Sequence, residues 1–130
     1  MKKVLILLIC LIGYRIGCHA QMADEHYYFK NLSVQNGLSQ NTVNAILQDR
    51  QGFMWFGTKD GLNRYDGLSF RKFKHDDRTR RSIGNNFITA LYEDAKGDIW
   101  VGTDVGLYIY HPEKDSFRHF AELSVENTKI

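Results

Sequence analysis

The sequence predicts an all-β chain: two four-stranded antiparallel units behind an N-terminal export leader. Three observations carry that reading. Two lysines followed by an apolar run fill the start of the chain. The remainder holds one stretch of about 45 residues twice over. Within each copy, short β-rich runs alternate with turn-forming residues, which is the pattern of strands joined by tight turns. The length of 130 residues suggests about one domain. With 43% hydrophobic and 25% charged residues, the composition is that of an ordinary globular protein and excludes wholesale disorder. A single proline excludes a proline-rich or collagen-like chain.

The leader comes first. Lys2 and Lys3 precede the unbroken run Val4 to Gly13, followed by Tyr14, Arg15 and a short polar end. That is the layout of a secretory signal. A helix of ten residues spans about 15 Å, half a bilayer core, so a signal is expected rather than a membrane anchor. Cys18-His19-Ala20 puts small residues three and one before a cut between Ala20 and Gln21. Ile16-Gly17-Cys18 also resembles the end of a lipoprotein signal with Cys18 acylated, but Arg15 stands where that pattern wants an aliphatic residue. A cut after Ala20 removes Cys10 and Cys18, so stability would come from packing and not from disulfides. Lys2, Lys3 and Arg15 leave as well, and the net charge of +2 becomes 14 bases against 15 acids. No nucleic-acid partner is expected of such a chain.

The repeat organises the rest. At an offset of 45, Asn41 matches Asn86 and Asp49 matches Asp94. Gly52, Trp55, Gly57 and Thr58 match Gly97, Trp100, Gly102 and Thr103. Gly61, Leu62 and Tyr65 match Gly106, Leu107 and Tyr110. After two extra residues in the second copy, Phe70 and Phe73 align with Phe117 and Phe120.

Each copy reads as four strands: Val43 to Gln48, Phe53 to Gly57, Leu62 to Tyr65 and Ser69 to Phe73, then Phe87 to Tyr92, Asp98 to Gly102, Leu107 to Tyr110 and Ser116 to Phe120. Asp first and Gly fourth in 49–52 and 94–97 is the signature of a type I turn. Phe53 and Trp55 alternate with Met54 and Phe56, and Ile99 and Val101 with Trp100, so the inner strands are apolar on both faces. A sheet of that kind must be covered on both sides. A four-stranded repeat of about 45 residues that stacks face to face is a β-propeller blade. The glycine two after each Trp, Gly57 or Gly102, then admits a close neighbour. Phe70 and Phe73 are three apart, which calls for a bulge or for a strand end at Phe73.

The expected organisation is a signal peptide over 1–20, an edge strand of an incomplete blade and a lead-in loop over 21–37, blade 1 over 38–82, blade 2 over 83–122, and the start of a further repeat over 123–130. Ring closure takes at least four blades, about 180 residues at this repeat length. The chain is therefore expected to be a propeller fragment whose partners are further blades.

Trp-x-Gly-Thr-x-x-Gly-Leu, preceded by Asn-x-(Val/Ile)-x-Ala and Asp-x-x-Gly, resembles the two-component regulator propeller repeat over roughly residues 27–127. The opening Asn36-Gly37-Leu38-Ser39-Gln40-Asn41-Thr42-Val43 is similar to that family's usual lead into its first blade. The resemblance implies the periplasmic sensor region of a hybrid two-component system, with tandem propellers, a β-sandwich, one membrane span and a histidine kinase following. It implies oligosaccharide ligands, a homodimer in the full-length relative and anchorage in the inner membrane. A quinoprotein-type propeller enzyme is the main alternative, although its usual Gly-to-Trp spacing is one residue longer than Gly52-Phe53-Met54-Trp55. A set of short chains that assemble a ring is another.

No catalytic, cofactor or metal residues are expected. Asp49 and Asp94 repeat at equivalent turn positions, where capping accounts for them. His26, His75, His111 and His119 show no metal-ligand spacing. Trp55 and Trp100 lie in apolar strands and are expected to pack between blades. The basic segment Arg71 to Arg81 is expected to be a solvated loop, with an anionic partner as the sharper alternative.

Overall fold

The structure, a computed structural model, describes residues 26–122. The expected leader, the Ala20/Gln21 cut and the repeat start at 123–130 lie outside those residues. The chain divides into two units, Met1–Lys30 and Asn31–Ile130. In the first, residues 26–30 carry no regular structure.

Among its described residues the second unit holds eight strands in two sheets. Strands β1 (Val43–Gln48), β2 (Met54–Thr58), β3 (Gly61–Tyr65) and β4 (Phe70–Phe73) form one antiparallel sheet in chain order. Strands β5 (Ile88–Glu93), β6 (Ile99–Thr103), β7 (Gly106–His111) and β8 (Ser116–His119) form the other in the same order. These are two propeller blades. The edge strand expected within 21–37 is corrected over its described part: residues 26–33 have no regular structure and Val34–Asn36 form a single 3-10 turn.

Hydrogen-bond register fixes which side chains share a face. Leu47, Trp55 and Arg64 are cross-strand partners, as are Gly57 and Leu62, and Leu62 and Phe73. This face of blade 1 meets blade 2. There it packs against Ile99, Val101, Tyr110 and Phe117, which are all but fully buried. Trp55 lies 5.6 Å from the Phe73 ring and 5.5 Å from the Tyr110 ring, centroid to centroid. In blade 2 the register puts Trp100 opposite Tyr92 and Ile109, on the other side of the sheet from Tyr110 and Val101. The stacking is thus head to tail, with the Trp face of the first blade against the non-Trp face of the second. Trp55 is 1% exposed, whereas Trp100 is only half-buried.

Phe70 and Phe73 resolve as a strand end. β4 pairs regularly with β3 and stops at Phe73. Phe73 joins the seam between blades, while Phe70 stacks at 4.7 Å on Tyr65 and 6.0 Å from Phe56 on the opposite face. The irregularities fall elsewhere, between Val43 and Ala45 and between Ile88 and Ala90.

The glycine after the first Trp has a steric reason. A Cβ on Gly57 would stand 2.5 Å from Cγ2 of Ile88, in the first strand of the next blade. On Gly102 a Cβ would meet Thr89 Oγ1 at 3.2 Å and Ala90 Cβ at 3.3 Å, within its own sheet. Gly57→Ala is therefore expected to force the blades apart and cost about 1–3 kcal/mol, the range for overpacking a filled core. Gly102→Ala should cost clearly less. Urea unfolding followed by tryptophan fluorescence checks the order; equal midpoints for the two variants would mean that Gly57 does not set the blade spacing.

Candidate functional site

The repeated residues build one device twice. Asp49 closes the β1–β2 turn: its Oδ1 accepts from Gln51 N at 3.0 Å and Phe53 N at 2.9 Å. Its Oδ2 accepts from the Trp55 indole at 2.7 Å. Asp94 does the same with Lys96 N at 2.8 Å, Asp98 N at 3.1 Å and the Trp100 indole at 3.0 Å. Gly52 and Gly97 finish these turns at φ +91° and +87°, a backbone region that favours glycine. The carboxylate therefore does more than cap a turn, because it also sets the rotamer of the tryptophan on the blade face. Asp at i with Trp at i+6 was visible in both copies, but the indole bond was not.

The Thr closes the opposite turn. Thr58 Oγ1 donates to Gly61 O at 2.9 Å and accepts from Asp60 N at 3.0 Å. Thr103 Oγ1 donates to Gly106 O at 2.9 Å and accepts from Val105 N at 3.3 Å. Gly61 and Gly106 open β3 and β7, and Leu62 and Leu107 follow them. Leu62 is fully buried in the seam, while Leu107, on the outward face of blade 2, is half-buried.

Polar bonds tie the blades together around the apolar seam. Arg50 Nε bonds Glu93 Oε1 at 2.8 Å, and its other nitrogens reach Ala95 O at 3.0 Å and Asp94 O at 2.5 Å. Asn44 Nδ2 donates to Ile88 O at 2.9 Å, and Gly61 N to Asn86 O at 2.7 Å. On the outer strands Arg71 holds Asp115 at 2.6 Å, and the Tyr110 hydroxyl donates to the same carboxylate at 2.8 Å. Arg71, then Tyr110, hold Asp115 below the usual carboxylate range. Burial first, and then the Asp115 bond, push the Tyr110 phenol up to about 12.

The basic segment is largely spent on the chain itself. Arg71 takes Asp115, Lys74 pairs with Asp60 at 2.6 Å, Arg78 with Asp76 at 2.8 Å, and Arg81 donates to Lys114 O at 2.6 Å. His75 sits between Ile83 O at 2.9 Å and Asp77 at 2.7 Å, and those bonds raise its pKa above the ordinary histidine value. These contacts order the connection between the blades and leave little of the run for a partner.

A cavity of about 430 Å³ opens along the seam at the Asp49 and Asp94 turns. Both blades line it, with Asp49, Arg50, Trp55 and Arg64 on one side and Glu93, Lys96, Asp98, His111 and Lys114 on the other. His111 Nδ1 lies 2.9 Å from Asp98 Oδ1. The Arg64 guanidinium stacks 4.4 Å over the Phe53 ring and 5.8 Å from the Trp55 ring. The repeat motif supplies Asp49 and Trp55 to this groove; the other members come from turns and strands far apart in sequence, which the stacking of the blades brings together. Among the described residues no group of three or more His, Cys, Asp or Glu could hold a metal ion. Nor is any helix among them long and apolar enough to cross a membrane.

The two component regulator propeller family matches residues 37–60 and 82–105, the lead-in and first half of each blade. The chain is 38% identical over 60 residues to Histidine kinase P4 of Formosa agariphila; the match covers 46% of this chain and 4% of that protein. A solved structure described as the extracellular domain of a hybrid two component system from B. thetaiotaomicron superposes with a TM-score of 0.65 at 36% identity, over 72% of this chain and 13% of that one. A second, described as the extracellular domain of a one component system from the same organism, gives a TM-score of 0.60 at 23% identity, over 73% of this chain and 14% of that one, and shows the shared fold. The chain thus spans a small part of each relative.

The carboxylates of this site give a pH dependence with a definite sign. The Trp100 indole bond is the main cause holding Asp94 below the usual carboxylate range. The Arg78 bonds draw Asp76 down to about 2. A folded pKa below the unfolded one gives stability that is present above the unfolded value, near 4, and lost as the pH falls through the folded value. The stability gap between the chain and its Asp94→Asn variant should be full at pH 6 and close on acidification below about pH 4. Denaturant unfolding at a series of pH values measures it. A gap that persists unchanged to pH 2 would remove the ionised Asp94 from this account.

Proposed function

The two blades belong to the two component regulator propeller family, and from that premise we propose that the chain is the N-terminal portion of an exported sensor propeller in a hybrid two-component system. The observation that carries this reading is the tandem repeat stacked head to tail, in a chain similar to extracellular domains of such systems. In this role the blades bind and position; they do no chemistry, and no catalytic or cofactor residues are assigned. The leader is removed between Ala20 and Gln21, which places the blades in the periplasm. The motif residues Asp49, Gly52, Trp55, Gly57, Thr58, Gly61 and Leu62, with their counterparts Asp94, Gly97, Trp100, Gly102, Thr103, Gly106 and Leu107, serve blade structure. The ligand is an oligosaccharide, and the working unit is a homodimer completed by further blades.

Two measurements test the reading separately. Mass spectrometry of the exported protein is expected to find Gln21 at the N-terminus; an intact leader in the cytoplasmic fraction would overturn the export step. A panel of oligosaccharides titrated into the protein is expected to include one that raises its melting temperature and triggers phosphotransfer in the system it serves. A propeller enzyme would instead consume its ligand, and product formation by the purified protein would favour that alternative.

A further inference from the structure

The groove at the Asp49 and Asp94 turns is complete within this chain, since both of its walls are present. Its acids are mostly committed. Asp49 is held by two backbone amides and an indole, Glu93 by Arg50, and Asp98 by His111. Only Glu113, exposed at the rim, has no such partner among the described residues. Of the cations, Arg50 is likewise committed, to Glu93 and to the Asp94 and Ala95 carbonyls. No hydrogen bond or ion pair engages the side chains of Arg64, Lys96 or Lys114 among the described residues.

Arg64 is the telling member. At the offset of 45 its counterpart is Ile109, an apolar side chain 4% exposed on the equivalent face. The two blades thus differ at this place, with an arginine in the first and an apolar side chain in the second. The Arg64 guanidinium lies over Phe53, which holds its plane without using its N–H groups. No buried side-chain nitrogen or oxygen lacks a partner among the described residues. The unbonded N–H edge of Arg64 is therefore accessible, and the cavity is the space it lines. A rigid planar fork of donors, stacked on one ring and open at its edge, suits a group with two oxygens in a plane. A volume of about 430 Å³ lies within the range of small-molecule sites.

We propose that the groove between the two blades binds an oxyanion-bearing small molecule, with its carboxylate or sulfate group docked on the Arg64 guanidinium. Lys96 and Lys114 add positive charge on the facing wall. A neutral molecule would leave these donors unmatched. The site needs only these two blades, so it stands apart from the sensor reading above.

Isothermal titration calorimetry of the intact chain tests the proposal with three probes: glucuronate, sodium sulfate and glucose. Glucuronate or sulfate is expected to bind, and glucose is not. Glucuronate alone would identify an acidic sugar as the occupant, whereas equal or better binding of sulfate would identify a bare oxyanion site. Arg64→Ile installs the residue that the second blade carries at this place, so the variant should fold at least as well. It should lose roughly tenfold or more in affinity. Arg64→Lys keeps a charge and loses the fork, and should bind the carboxylate several-fold more weakly. If neither anion binds, if glucose binds as well as they do, or if both variants bind as the parent does, the proposal is wrong and Arg64 merely covers Phe53.

Discussion

A sheet that is apolar on both faces must be covered on both, and the rest of the structure depends on how that cover is supplied. Blade 1 presents Leu47, Trp55, Leu62 and Phe73 to blade 2, which answers with its opposite face. Removing a tryptophan from water is worth roughly 5 kcal/mol at the usual coefficient per unit area, before the entropy of ordering is set against it. The contact uses two different surfaces, so it is heterologous, and such contacts propagate. Repeating the same operation would bring a further non-Trp face onto Trp100 and Leu107. Exposure follows this logic: Trp55 and Leu62 are buried, and their counterparts Trp100 and Leu107 are half-buried.

The motif residues act on that contact from its edges. Asp49 fixes the Trp55 ring through the indole, so one side chain sets both a turn and the packing surface six residues later. Thr58 does the corresponding work at the far end of the same strand by tying the turn to Gly61. Gly57, between them, leaves the space that Ile88 fills. Arg50 and Arg71 then close the rim on the neighbouring blade through Glu93 and Asp115. Those rim pairs are half exposed and individually weak; their role is to fix register across a seam whose stability comes from apolar burial.

Much of this was legible because the repeat compares the sequence with itself. Residues shared by both copies, such as Asp, Gly, Trp and Thr at fixed spacing, are those whose geometry every blade needs. Strand ends shifted by about one residue, as with Phe53, which belongs to the turn, and His111, which extends β7. Alternation sets which residues are strand, but the hydrogen bonds of each turn set where the strand stops. The irregularities after Val43 and Ile88 left no trace, because a bulge changes pairing without requiring a particular residue type. The edge strand expected within 21–37 relied on likeness alone, without a strand-like alternation in the residues themselves.

Differences between the copies carry a separate kind of information. Asn63 is buried in blade 1, where it accepts from Ser39 N at 2.9 Å and donates to Ser39 Oγ at 2.8 Å. In blade 2 the matching pair is Gly84 and Tyr108, and a side chain at Gly84 would run into the Tyr108 hydroxyl. One position lacks a side chain where the other carries a ring, so the missing group makes room for the larger one while the chemistry changes. That exchange is explained wholly by packing. Arg64 against Ile109 is explained only in part, because Phe53 takes the face of the guanidinium while no hydrogen bond engages its N–H groups among the described residues. A departure that the fold compensates belongs to the fold. A departure left uncompensated, at the wall of a cavity, is a place to look for a ligand.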